Sequence, residues 1–121
     1  FKQVNDRYGH MAGDRVIVSL ARLFKERLRN SDSIGRYGGE EFMIILPNCD
    51  AVAAKKLTDE CRERFMSLSH RHGEEAFTVS FSAGIAVSND CVEADALIHA
   101  ADTALYGAKQ AGRNRVALCD G

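Results

Sequence analysis

The chain has 121 residues, enough for one domain with a proper hydrophobic core, and its 45% apolar and 27% charged content is that of a soluble globular protein. A net charge of −1 excludes a general affinity for nucleic acid or acidic membranes, so any site for a polyanion must be local. No apolar run approaches the roughly 18 residues of a membrane span, and no secretory signal is visible. Cys49, Cys61, Cys91 and Cys119 are dispersed without a Cys-x-x-Cys pair, which argues against zinc and for reduced thiols in a cytosolic chain.

Phe1 to His10 is polar and punctuated and reads as the end of a strand or loop followed by a short helical turn. The sequence opens without methionine and inside an element, and so reads as a piece of a longer protein. Gly13 and Asp14 offer a helix start, and Val16, Ile17, Leu20, Phe24 and Leu28 follow at helical spacing to about Arg29. Strands are expected at Ser33–Tyr37 and Glu41–Leu46, the second ending at the chain's one proline, Pro47. Asn48-Cys49-Asp50 then caps a second long helix carrying Ala53, Leu57, Cys61, Phe65 and Leu68 on one face. A turn-rich connector, Ser69 to Glu75, leads to strict alternation from Phe77 to Ser88, the clearest strand pattern in the chain. Gly84 within it suggests a bulge or a close approach to the backbone. A third helix is expected from about Val92 to Ala111, closed by Gly112, with a last strand at Arg115–Cys119. Helices alternating with a mixed sheet give a single α+β domain over residues 1–121.

The stretch Arg36-Tyr37-Gly38-Gly39-Glu40-Glu41-Phe42 is the most chemical of the chain. It reads as a hairpin whose tip is bare glycine backbone, followed at once by two carboxylates. Successive strand residues face opposite ways, so Glu40 and Glu41 cannot both point into a core. An acid held beside naked backbone suits a metal–phosphate site, since hard divalent cations take carboxylate oxygens. An exposed acidic hairpin is the plainer alternative.

Three further places carry two readings each. Asn5 and Asp14 flank a Gly-His pair; an amide and a carboxylate together can read guanine, or they can simply form a turn and a helix cap. Lys109 and Arg113 can clamp phosphates or complement a helix C-terminus. Arg29 and Asp32, as Arg-x-x-Asp, can form a surface ion pair at a helix end or a ligand site.

Together, Phe1-Lys2-x-Val4-Asn5-Asp6-x-x-Gly9-His10-x-x-Gly13-Asp14, the Gly38-Gly39-Glu40-Glu41-Phe42 hairpin, Ser82-x-Gly84-Ile85-Ala86, and Ala101-Asp102-x-Ala104-Leu105-Tyr106-x-Ala108-Lys109-x-x-Gly112-Arg113-Asn114 resemble the GGDEF family of diguanylate cyclases, in order and over nearly the whole chain. The resemblance implies a central mixed five-stranded sheet surrounded by helices, like the ferredoxin-like palm of class III nucleotide cyclases. It implies condensation of two GTP into cyclic di-GMP and two pyrophosphates, each ribose 3′-hydroxyl attacking the other's α-phosphate across a homodimer of domains. Two Mg²⁺ (or Mn²⁺) per GTP would lower the hydroxyl's pKa and neutralise charge on the transition state.

Carried over by residue, Asn5 and Asp14 would read the guanine, and Lys109 and Arg113 would hold the terminal phosphates with help from backbone N–H groups near Phe1 and Lys2. Gly38 and Gly39 would let the triphosphate lie against the turn. Glu40, standing where the family name has Asp, would bind metal and help deprotonate the hydroxyl, with Glu41 beside it and Arg36 stabilising developing phosphate charge. Arg29 and Asp32 sit where many members bind a dimer of the product as an inhibitor; a second arginine often comes from the second long helix of another copy, where this chain has Arg62 and Arg64. Active members carry an Asp-x-Asp ahead of the Phe-Lys that begins this sequence, so the first strand and one metal carboxylate are expected upstream, and residues 1–121 alone are expected to be poorly active or inactive. An upstream sensor or receiver domain is expected, with the catalytic domain in the cytoplasm, touching neither nucleic acid nor membrane, even where the longer protein is membrane-anchored. The competing reading is a catalytically silent module that binds GTP or cyclic di-GMP.

Overall fold

Gly9 breaks the front of the chain into two helices. It adopts φ 91°, a left-handed value that an L side chain resists, so α1 (Lys2–Tyr8) ends and α2 (His10–Arg27) begins in a new direction. The computed structural model describes residues 2–37, 41–88 and 93–119, with Lys2 and Gln3 described by their backbone alone. These fall into two compact units, 1–47 with 65–79 and 48–64 with 80–121.

In the first unit α2 buries Ala12, Gly13, Val16, Ile17, Leu20, Leu23 and Phe24 along one stripe, the face its apolar spacing predicts. The helix starts four residues earlier than the Gly13–Asp14 signal suggests, because the real break is Gly9; Gly13 is buried inside the helix and Asp14 is exposed on its second turn. Strands β1 (Ser33–Arg36) and β2 (Phe42–Ile45) pair antiparallel, Ser33 opposite Ile45 and Arg36 opposite Phe42. Tyr37 N–H donates to the Glu41 carbonyl at 2.8 Å and closes the hairpin. An open cavity of about 320 Å³ lies on its Gly35–Met43 face.

The connector after the second long helix is ordered, not loose. β3 (His70–His72) and β4 (Glu75–Phe77) form a tight hairpin turning at Gly73, φ 63°. Tyr8 stacks on Phe77 with ring centroids 4.4 Å apart, and His70 lies within 5.4 Å of Phe65 and 5.6 Å of Phe77. Phe77 therefore ends a hairpin instead of opening the long strand that its alternating sequence suggests; alternation shows which residues share a face, not which strand is the partner.

Burial among these rings holds His70 below the ordinary histidine value of 6.5, since desolvation penalises the imidazolium. Its Nε2 is buried without a hydrogen-bond partner. The unfolded chain thus binds the proton more readily, and stability is present above about pH 6.5 and lost as pH falls below it. Thermal melts are expected to show a decline in Tm between about pH 7.5 and 5 that His70→Phe flattens; a decline unchanged in the variant would place its origin elsewhere.

In the second unit Asp50 caps α3 (Ala51–Ser67): its Oδ1 accepts from Ala53 N–H at 2.7 Å. β5 (Ala83–Ile85) and β6 (Val116–Leu118) pair in parallel, joined by α4 (Ala94–Gln110), which packs on both strands. This is a βαβ crossover, the connection that parallel neighbours require. Gly84 permits it: a Cβ there would strike the Ala101 carbonyl and the Leu105 N–H, the backbone of α4 itself. The α+β class holds. Among the described residues the strands hydrogen-bond as three two-stranded sheets: β1–β2, β3–β4 and β5–β6. Of the Phe77–Ser88 segment, read from its alternation as one long strand, only Ala83–Ile85 enter the β5–β6 ladder.

Candidate functional site

Asn5 on α1 has its side-chain oxygen buried and without a partner. It lies against Gly13 of α2, where a Cβ would collide with Oδ1. An unpaired buried amide oxygen costs about 1–3 kcal/mol, and such local inconsistencies gather at functional sites. Asp14 follows Gly13 and is exposed. The α1 amide thus lies against the residue of α2 that precedes the exposed Asp14 carboxylate.

Arg36 is exposed and Glu41 is half-buried. Phe1, Gly38, Gly39 and Glu40 lie outside the described residues, as does the Lys2 side chain. The Tyr37 N–H bond to the Glu41 carbonyl keeps Glu41 at the Arg36–Phe42 end of the β1–β2 ladder. Carboxylate oxygens are the donors that magnesium prefers, so the chemistry of this end fits a hard divalent cation.

In the second unit Lys109 and Arg113 are both exposed at the C-terminal end of α4. Gly112 turns at φ 120°, and Arg113 and Asn114 follow with φ 62° and 49°. Two consecutive left-handed residues that are not glycine are uncommon, and the arginine's conformation costs on the order of 1 kcal/mol or more. Arg113 N–H donates to the Ala108 carbonyl at 3.0 Å, and Asn114 N–H to Ser82 Oγ at 3.0 Å. Ser82 and Gly84 of the Ser-x-Gly motif thus serve one end: the first ties the turn, the second lets α4 approach. The sequence carried the motif but not this division of labour.

Arg29 and Asp32 form a closed pair. The Asp32 carboxylate accepts from Arg29 N–H at 2.8 Å, from Nε at 3.1 Å and from Nη2 at 2.7 Å. Arg29 Nη2 also donates to the Pro47 carbonyl at 2.6 Å. The hydrogen bond from the Arg29 side chain holds Asp32 below the usual carboxylate range. Arg29 and Asp32 thus form an ion pair just beyond the end of α2, and the bond to Pro47 also pins the exit of β2.

The match to known proteins covers this whole arrangement. Residues 1–115 match the family model "Diguanylate cyclase, GGDEF domain". Diguanylate cyclase A of Treponema denticola is 41% identical over 98% of this chain, which spans 32% of that relative's length. The GGDEF domain of DgcB from Caulobacter crescentus, solved in complex with c-di-GMP, superposes with a TM-score of 0.94 at 31% identity, over 99% of this chain and 72% of that one. The active GGEEF domain of a diguanylate cyclase from Vibrio cholerae gives 0.89 at 33% identity, over 99% and 76%. Its name carries the Gly-Gly-Glu-Glu-Phe found here at residues 38–42. The α+β fold is that of the cyclase palm, and the chain belongs to the GGDEF family of diguanylate cyclase domains.

Proposed function

We propose that residues 1–121 are a single diguanylate cyclase catalytic domain, which joins two GTP molecules into cyclic di-GMP across a homodimer of domains. In each half-reaction the ribose 3′-oxygen forms a bond to the partner GTP's α-phosphorus. The bond from that phosphorus to the bridging oxygen of the β-phosphate breaks, and pyrophosphate leaves. Glu40 takes the hydroxyl proton. Divalent cations, two per GTP and held with Glu40, would supply Lewis acidity and charge neutralisation. Arg36 offsets charge on the α-phosphate, and Gly38 and Gly39 give the triphosphate access to backbone N–H groups.

Asn5 and Asp14 read the guanine: the Asn5 Nδ2 donates to O6 or N7 and the Asp14 carboxylate accepts from N1–H and N2–H. Lys109 and Arg113 grip the terminal phosphates, with backbone N–H groups near Phe1 and Lys2. The observation that carries the reading is the Asn5 amide, its oxygen tucked unpartnered against Gly13 beside exposed Asp14. Product would bind as inhibitor at Arg29 and Asp32 only after their closed pair opens. The domain works in the cytoplasm, where GTP is, under the control of an upstream domain.

Equilibrium titration of the full-length protein with GTP and ATP tests the base-reading site. GTP is expected to be preferred by about 100-fold or more, with most of that preference lost in Asn5→Ala. Equal affinity for the two nucleotides would overturn the assignment.

A further inference from the structure

We propose that Arg62 of α3 is a positioning residue for the phosphate-gripping turn: its hydrogen bond to Asn114 fixes the left-handed backbone that presents Arg113. The inference rests on the cyclase reading, in which Arg113 holds phosphate.

Arg62 and Asn114 are 52 residues apart, yet Arg62 Nη1 donates to Asn114 Oδ1 at 2.9 Å. The guanidinium is not loose. Its Nε bonds to Asp59 at 3.2 Å, its Nη2 lies 3.8 Å from Glu63, and only 16% of the side chain is exposed. Asp59 is in turn held by Lys55 at 2.8 Å, and the hydrogen bond from Lys55, aided by one from Arg62, keeps its carboxyl below the usual range. The planar fork of arginine thus has one edge anchored on its own helix and another aimed at the turn.

At the turn, Arg113 and Asn114 both sit at positive φ, 62° and 49°. Strain of this kind persists only where surrounding bonds over-determine it. Here the bonds include Arg113 N–H to Ala108, Asn114 N–H to Ser82 Oγ, and Arg62 to the Asn114 side chain, beside Arg115 Nε to the Arg113 carbonyl. The first two hold the main chain. The third fixes the one side chain in the turn that is half-buried, and leaves Arg113 exposed. A helix-end cation would need no such bracing to complement a dipole; a cation that must meet a phosphate at a set position does. This also gives Arg62 an occupation within its own chain, apart from any inhibitory site on another copy.

The test is equilibrium titration of the full-length protein with GTP and with GMP, which keeps the base and lacks the terminal phosphates. Arg62→Gln is expected to weaken GTP about tenfold and leave GMP within about twofold. Arg62→Lys, without the fork, should lose nearly as much. In an Arg113→Ala background Arg62→Gln should add nothing, because it acts through Arg113. Asn114→Gly retains the left-handed backbone, deletes the acceptor, and should reproduce the GTP-specific loss even where Arg62→Gln folds poorly. Equal losses for GTP and GMP, or additive effects with Arg113→Ala, would reduce Arg62 to a structural residue and overturn the proposal. GTP bound normally by Arg62→Gln and Asn114→Gly would sink the brace alone, whereas wild-type protein that binds no GTP would sink the cyclase reading beneath it.

Discussion

Gly84→Ala is expected to destabilise the protein by about 2–4 kcal/mol and lower its melting temperature by about 10 °C. The added Cβ would meet the Ala101 carbonyl and the Leu105 N–H, and would lie 2.8 Å from the Leu105 Cα. Residues 101 and 105 are four apart in α4, so the methyl would land on the helix's own hydrogen-bonded backbone. Flexible side chains can step aside from such a collision; a helix backbone cannot without moving the helix. Since α4 carries Lys109 and leads into Arg113, a shifted helix should also weaken GTP binding. Thermal denaturation of Gly84→Ala measures the first effect, and a melting temperature within about 2 °C of wild type would contradict this packing.

Gly13→Ala should do the reverse: bind GTP about tenfold or more weakly while keeping or gaining stability. Here the Cβ would meet the end of the Asn5 side chain, whose oxygen has no partner to lose. The amide can swing away at little cost to the fold, and alanine in a helix interior is favoured over glycine by about 0.8–1 kcal/mol. What is lost is the position of the amide. Calorimetric titration with GTP beside a thermal melt separates the two effects. Unchanged GTP affinity would show that Asn5 does not read the base where it now lies, and a large drop in melting temperature would show that Gly13 serves packing alone.

These two glycines mark where the sequence was readable and where it was not. The long helices α2, α3 and α4 follow from apolar spacing, and the Asp50 cap from its place before Ala51, because both signals are local. The β1–β2 hairpin follows from the Gly-Gly turn and its flanking strands. Helix α1 was legible only as a short helical turn: at seven mostly polar residues it shows no periodicity, and it packs on α2. The alternating run from Phe77 to Ser88 misled for a different reason. Its period is real, but Phe77 pairs with His70 and Ala83 with Val116, and no local pattern encodes those partners.

The same limit applies to the site. The residue types at Asn5, Asp14, Lys109 and Arg113 point to nucleotide chemistry once they are read together. The contacts that would make them work (Gly13 against Asn5, Arg62 on Asn114, Ser82 on the 113–114 turn) each join different elements of the fold. Tertiary packing alone brings them into contact. Arg29 and Asp32 show the converse: three residues apart, their pairing was legible, and the structure adds the Pro47 carbonyl to it.

The most direct test of the account is product formation. The full-length protein incubated with GTP and Mg²⁺ should yield cyclic di-GMP and pyrophosphate, resolved by chromatography. Glu40→Ala, lacking the carboxylate assigned to the metal and the hydroxyl proton, should yield at least about 100-fold less. Product that forms equally well in Glu40→Ala would remove Glu40 from the chemistry. No product from wild-type protein that binds GTP, together with tight cyclic di-GMP binding abolished by Arg29→Ala, would contradict the cyclase and identify a receptor of the dinucleotide.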